Sequence, residues 1–185
     1  MVFRKLSAWI RKPHADVVHL GNLGSDNGAK TREHALKAPE KRFLGIDTTK
    51  SEIAHTANWR QHTGDFISGL RTLKDNSAEL ITSELALGHY GPKFNSIITV
   101  EYNLKVLKYI YRKLKPAGRL EIIVAGIKNV SDLRQALERT KFRVLEIRPI
   151  TEAEAHSSPY TERYYSKPGD YLVQRKSIVK IVAGK

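Results

Sequence analysis

At 185 residues, with 41% apolar and 28% charged positions, the chain has material for one folded domain with a continuous core and not for two, and this composition excludes wholesale disorder. It contains no cysteine, which excludes disulfides, thiol nucleophiles and thiolate metal sites. A formal net charge of +13 points to a polyanion such as nucleic acid or an anionic surface, or else to a surface that serves solubility, since the lysines and arginines are spread along the chain without a dense block. No apolar run approaches the roughly 20 residues that cross a bilayer, and the N-terminal stretch lacks the apolar centre of a signal peptide. Membrane insertion is therefore not expected, and the cytoplasm is the expected compartment.

In chain order, residues 1–14 place Val2, Leu6, Trp9 and Ile10 near one side of a short amphipathic helix, read as an N-terminal extension packed on the domain, with docking on a membrane surface as the alternative. Asp16–Leu20 is a short, β-branched strand followed at once by glycine. From about Ser25 to Lys37 helix formers dominate, with Ser25 or Asp26 as the cap and Pro39 as the stop. Lys41–Asp47 is a second strand ending in a carboxylate, after which Thr48-Thr49 could cap a weakly periodic segment reaching Asn58. Trp59–Thr63 is a third strand, followed by Gly64-Asp65-Phe66 and a helix carrying Phe66, Ile67, Leu70 and Leu73.

Ser77–Leu85 reads as a fourth strand, and Asn95–Leu114 as a long helix stopped by Pro116 and Gly118. Arg119–Ala125 is the clearest strand, Val130–Thr140 a helix, Lys141–Ile147 a sixth strand and Tyr171–Val182 the last. No helix is evident between the last two strands. Alternating strands and helices imply right-handed βαβ units. The expected fold is thus α/β: a single doubly wound, mostly parallel seven-stranded sheet with helices on both faces. Its last strand should be antiparallel, because a parallel one needs a crossover.

In such a sheet, ligands bind beyond the carboxyl ends of the strands. The first turn, VVHLGNLGSDNG, brings Gly21 and Gly24 there, though it lacks the G-x-G-x-x-G fingerprint. Asp47, at the second strand's tip, suits a ribose diol and also suits a cap. Asp65 suits an adenine amine, with Phe66 to cover the ring. Glycine turn, ribose acid and base-edge acid thus fall on three successive strands.

This order resembles the class I S-adenosylmethionine-dependent methyltransferases from about Asp16 to Val182. VVHLGNLGSDNG is similar to the family's first motif, FLGID to its second and HTGDF to its third, while YRKLKPAGRLEI resembles the turn before its fifth strand. The resemblance implies S-adenosylmethionine as cofactor. Gly21, Asn22, Leu23 and Gly24 would line its methionine part, Asp47 would hold its ribose, Asp65 and Phe66 would contact its adenine, Thr48 would also belong to the cofactor site, and Glu84 would lie near the sulfonium and the acceptor. Two features depart from the family: His19 stands where an acid is usual, and the turn is poorer in glycine. Asp26 is the candidate to compensate.

Methyl transfer needs alignment of donor and acceptor more than a general base. Glu84, His89 and Tyr90, following the fourth strand, are the candidates at the acceptor, with Glu84 and His89 as the catalytic pair and His89 able to take a proton near neutrality. The seven histidines show no recognised ligand spacing, so no metal site is expected. The family's Asp-Pro-Pro-Tyr or Asn-Pro-Pro-Tyr signature is absent, which argues against an exocyclic base amine as target.

The connector Pro149–Asp170 interleaves Tyr160, Tyr164 and Tyr165 with Arg163 and Lys167, a composition suited to stacking on bases and pairing with phosphates, or to a surface loop packed back on the domain. The leading reading is a methyltransferase acting on RNA or another polyanion. The alternatives are a catalytically inactive methyltransferase-like module binding RNA or a partner protein, a small-molecule methyltransferase, and a nicotinamide-dependent oxidoreductase.

Overall fold

The computed structural model describes residues 14–21, 28–87, 96–156 and 178–185, the side chains of 96–99 and 127 excepted. Seven strands form one sheet: β1 (Val17–Leu20), β2 (Phe43–Asp47), β3 (Trp59–Thr63), β4 (Ala78–Glu84), β5 (Leu114–Ala125), β6 (Arg143–Pro149) and β7 (Ile178–Gly184). Their spatial order is β3-β2-β1-β4-β5-β7-β6. The pairs from β3 to β5 are parallel, and β7 runs antiparallel to both β5 and β6. The helices are α1 (Ala29–Lys37), α2 (Phe66–Thr72), α3 (Ser96–Lys113), α4 (Ile127–Glu138) and α5 (Glu152–His156).

The two sheet faces differ in chemistry. Val18, Leu20, Ile46, Ile81, Leu120, Ile122 and Val124 alternate onto one face and pack against Leu70 of α2, Leu107 and Ile110 of α3 and Leu137 of α4. Leu107 and Ile110 are fully buried, and each contributes roughly 1.5–3 kcal/mol by leaving water. The opposite face is covered by α1 and α5 over two small apolar clusters: Val17, Phe43 and Trp59 under Ala35, and Ile123, Ala125 and Ile178 under Ala155. The register places a mostly polar row between them, running Gln61, Gly45, His19, Thr82, Glu121, Val182 and Glu146 across the sheet.

Several elements differ from expectation. The described part of α1 begins at Ala29 with Gly28 as its N-cap in the left-handed conformation (φ 87°), in place of a Ser25 or Asp26 cap; those two residues lie outside the described region. No helix follows Thr48-Thr49: Thr49 N donates to Asp47 Oδ1 (3.0 Å) in a tight turn, and residues 48–58 cross irregularly to β3. Helix α3 ends at Lys113 and the chain enters β5 at once, so Pro116 and Gly118 lie inside an irregular strand start that shifts the β4–β5 register between Ala78 and Leu80.

A short helix, α5, interrupts the connector that lacked one in the sequence reading. Thr151 Oγ1 accepts from Glu154 N (3.2 Å) while Thr151 N donates to Glu154 Oε2 (2.9 Å), a capping box written in the sequence as Thr-x-x-Glu. The antiparallel end of the sheet is as expected, but β7 inserts between β5 and β6, leaving β6 at the edge. Residues 1–13 and 157–177, with the expected N-terminal helix and most of the tyrosine-rich connector, lie outside the described region. Among the described residues no helix is long and apolar enough to cross a membrane.

Candidate nucleoside site at the carboxyl edge of the sheet

Strands β1, β2 and β3 stop side by side at Leu20, Asp47 and Thr63, held together by Gly21 N donating to Ile46 O and Gly64 N donating to Asp47 O, both at 2.8 Å. Gly21 has φ +73°, and a Cβ built there would collide with Ala86 Cβ and approach the Phe66 ring at 3.8 Å. Only glycine satisfies both the backbone and the close approach of Ala86. The result is a shallow open cleft lined by Gly21, Asp47, Thr48, Asp65, Phe66 and Tyr102.

Five of these residues were singled out from sequence, and the fold brings them to one cleft. Asp65 caps α2: its Oδ1 accepts from Ile67 N (2.8 Å) and Ser68 N (3.0 Å), and Oδ2 has no partner among the described residues. The cap therefore orients the carboxylate without using it up. Tyr102 was missed. It lies on α3, the helix after β4, and in sequence it reads as one more residue of a long amphipathic segment; only the packing of α3 beside α2 carries it to the cleft.

Glu84, at the tip of β4, does not line this cleft. Its carboxylate receives Lys30 Nζ at 3.1 and 3.4 Å, which ties β4 to the first turn of α1. Asn22, Leu23, Gly24 and Asp26, His89 and Tyr90, and Tyr160, Arg163, Tyr164, Tyr165 and Lys167 lie outside the described residues.

His19 sits two residues before Gly21, on the polar face. Its Nδ1 is 2.5 Å from Thr82 Oγ1, its ring stacks on Phe43 with centroids 6.3 Å apart, and its Nε2 is shielded from solvent without a hydrogen-bond partner. Burial, reinforced by the nearby His34 and Lys30, pushes its pKa down to about 3, so the imidazole is neutral at physiological pH. The position contributes no negative charge. Among the described residues no group of histidines and carboxylates is arranged to hold a metal ion.

No family model matches the chain, and no curated protein matches its sequence. Solved structures do match. An S-adenosylmethionine-dependent methyltransferase from Archaeoglobus fulgidus aligns over 98% of this chain and 90% of its own with a TM-score of 0.62 at 15% identity. A 16S rRNA (adenine(1408)-N(1))-methyltransferase variant from Catenulisporales acidiphilia, with cosubstrate S-adenosylmethionine, aligns over 97% and 88% with a TM-score of 0.60 at 15% identity. The complex of the Haloferax volcanii Trm112 methyltransferase activator with a putative methyltransferase matches over 97% and 88%, TM-score 0.59 at 19% identity. With its strand order, its reversed seventh strand and these neighbours, the chain has the class I fold of S-adenosylmethionine-dependent methyltransferases.

Proposed function

We propose that the protein is an S-adenosylmethionine-dependent methyltransferase with RNA as its acceptor. The observation that carries the donor assignment is the convergence of Gly21, Asp47, Asp65 and Phe66 on one cleft at the carboxyl edge of the sheet. The donor set fits an adenosine: a carboxylate for the ribose hydroxyls, a second with a spare oxygen for the base amine, and an aromatic ring beside a backbone that has no side chain in the way. Bound there, S-adenosylmethionine supplies a methyl group already activated on sulfur. The protein's part is to hold donor and acceptor in line and keep water out.

Two observations support RNA. The net charge of +13 favours a polyanion, and one neighbour of the same fold methylates a ring nitrogen of ribosomal RNA. A ring nitrogen is compatible with the missing signature for exocyclic amines. Glu84, His89 and Tyr90 remain the candidates at the acceptor.

A second reading is a binding module that has lost catalysis, favoured by the neutral His19 where a negative charge would face the methionine ammonium. Calorimetry separates the readings. Binding of S-adenosylmethionine and S-adenosylhomocysteine, lost in Asp47→Ala, supports the donor site. Binding of NAD in their place marks an oxidoreductase, and binding of none of the three marks the module. Transfer of a labelled methyl group to RNA then tests the acceptor.

A further inference from the structure

The register assembles one lateral row across all seven strands on the polar face: Trp59, Phe43, Val17, Leu80, Arg119, Gly184 and Arg143. Its first half is apolar, with Trp59, Phe43 and Val17 buried. Its second half is different in kind. Arg119 and Arg143 are both exposed, on either side of Gly184 and so about 9.5 Å apart at the backbone, two strand spacings.

A β-bulge lies beside them. The β6–β7 register slips between Val144 and Glu146, and the extra residue, Leu145, lays its side chain over Gly184, 3.4 Å from where a Cβ would stand, while remaining 45% exposed. Bulges re-aim side chains, and this one lays an apolar group over Gly184, the residue whose register partners are Arg119 and Arg143. Arg139 and Lys141, in the turn entering β6, are also exposed. Among the described residues none of these four cationic side chains has a hydrogen-bond or ion-pair partner. The neighbouring acids are already engaged: Glu121 by Lys180, Glu146 by Arg148, Glu138 by Arg134 and Glu79 by Lys115.

We propose that Arg119, Arg143 and Leu145, flanked by Arg139 and Lys141, form a docking surface for the phosphate backbone of RNA, separate from the methyl-donor cleft. The choice of RNA rests on the acceptor reading above. Unpaired arginines in a fixed row match a regular array of phosphates, and Leu145 offers an apolar contact to a sugar or base edge. The surface lies where the regular β4–β5 pairing begins, four residues and about 13 Å along β5 from Ile123, the partner of Glu84 near the carboxyl edge. A small acceptor therefore cannot touch both places, whereas a folded RNA can anchor here while presenting a nucleotide to the cleft.

The test is fluorescence-anisotropy titration of a labelled RNA stem-loop at several KCl concentrations, with the full-length protein and the variants Arg119→Glu/Arg143→Glu and Arg119→Gln/Arg143→Gln. The expected result is affinity lowered about ten- to a hundredfold and a salt slope reduced by about two in the glutamine variant, with a larger affinity loss in the glutamate variant. Thermal midpoint and S-adenosylhomocysteine binding should stay unchanged in the glutamine variant, which guards against misfolding of the other. Wild-type affinity and salt slope in a folded double variant would overturn the proposal, as would a wild-type protein that binds S-adenosylhomocysteine and no RNA. Failure of the donor reading shows separately, as loss of S-adenosylhomocysteine binding in the wild-type protein.

Discussion

Lys30 Nζ lies 3.1 Å from Glu84 Oε1, so the first turn of α1 and the tip of β4 are joined across the end of β1. With side chains 23% and 32% exposed, this pair belongs with those contributing about 0–1 kcal/mol. Lys30→Ala is accordingly expected to lower the thermal midpoint by no more than about 2–4 °C. On the proposed reading, with Glu84 near the donor sulfonium, Glu84→Gln should leave stability nearly unchanged and weaken S-adenosylmethionine binding several-fold by calorimetry. Unaltered affinity in Glu84→Gln would remove Glu84 from the donor site.

Asp47 and Asp65 should separate binding from stability. Asp65 Oδ1 holds two backbone N–H groups of α2, so Asp65→Ala is expected to cost about 1 kcal/mol of stability on top of any loss of affinity. Asparagine caps about as well as aspartate, so Asp65→Asn should recover the stability and not the affinity. Asp47→Ala breaks the bond from Thr49 N but opens no helix end, and its main effect should be a roughly ten- to hundredfold loss of S-adenosylhomocysteine affinity, the size of a lost charged hydrogen bond. Urea midpoints read beside calorimetry check both.

Acid should destabilise the protein through His19 before the carboxylates titrate. Its folded pKa is pushed down to about 3 from 6.5, so below about pH 6.5 the unfolded chain takes up a proton that the folded chain refuses. Stability then falls as pH drops, with a limiting slope of about 1.4 kcal/mol per unit, and the loss levels off near the folded value. His34, lowered by partial burial and by Lys30, adds in the same direction. Asp16, Asp75 and Glu79 are held low by hydrogen bonds and cationic neighbours, so their contribution disappears only at more acidic pH. Urea midpoints at pH 7 and pH 5 should differ less in His19→Gln than in the parent; an unchanged difference would show that the histidine protonates in place.

Asn58 carries more of α1 than its position in an irregular crossover suggests. Its Nδ2 donates toward Ala35 O (2.6 Å), Ala38 O (3.2 Å) and Lys41 O (3.1 Å), gathering carbonyls left over at the end of the helix. Asn58→Ala is expected to lower stability by about 1–3 kcal/mol, because at least one half-buried carbonyl loses its donor. Asn58→Asp should be at least as damaging, since a carboxylate cannot donate. Chemical denaturation measures both.

Much of this protein was legible in its residues because local periodicity encodes it. The alternation in Arg119–Ala125, the β-branched run before Gly21 and the helical spacing from Phe66 to Leu73 each specify an element whose partner hardly matters, and strands separated by helices leave few topologies open. The order glycine turn, Asp47, Asp65 already places three strand tips on one edge. The capping box at Thr151 and Glu154 was equally local, and was passed over in a connector read for its tyrosines.

Tertiary structure alone decided what depends on contacts between distant segments. Tyr102 reaches the cleft because α3 packs beside α2, and Glu84 is turned to Lys30 because β4 lies next to β1; neither follows from spacing. The depressed pKa of His19 comes from burial among residues brought from α1 and β2. The insertion of β7 between β5 and β6 sets Arg119 beside Gly184 and Arg143, residues from three separate strands. A sequence records which side chains alternate together along one strand; which strand lies next to it is settled by burying apolar surface and pairing backbone groups over the whole sheet.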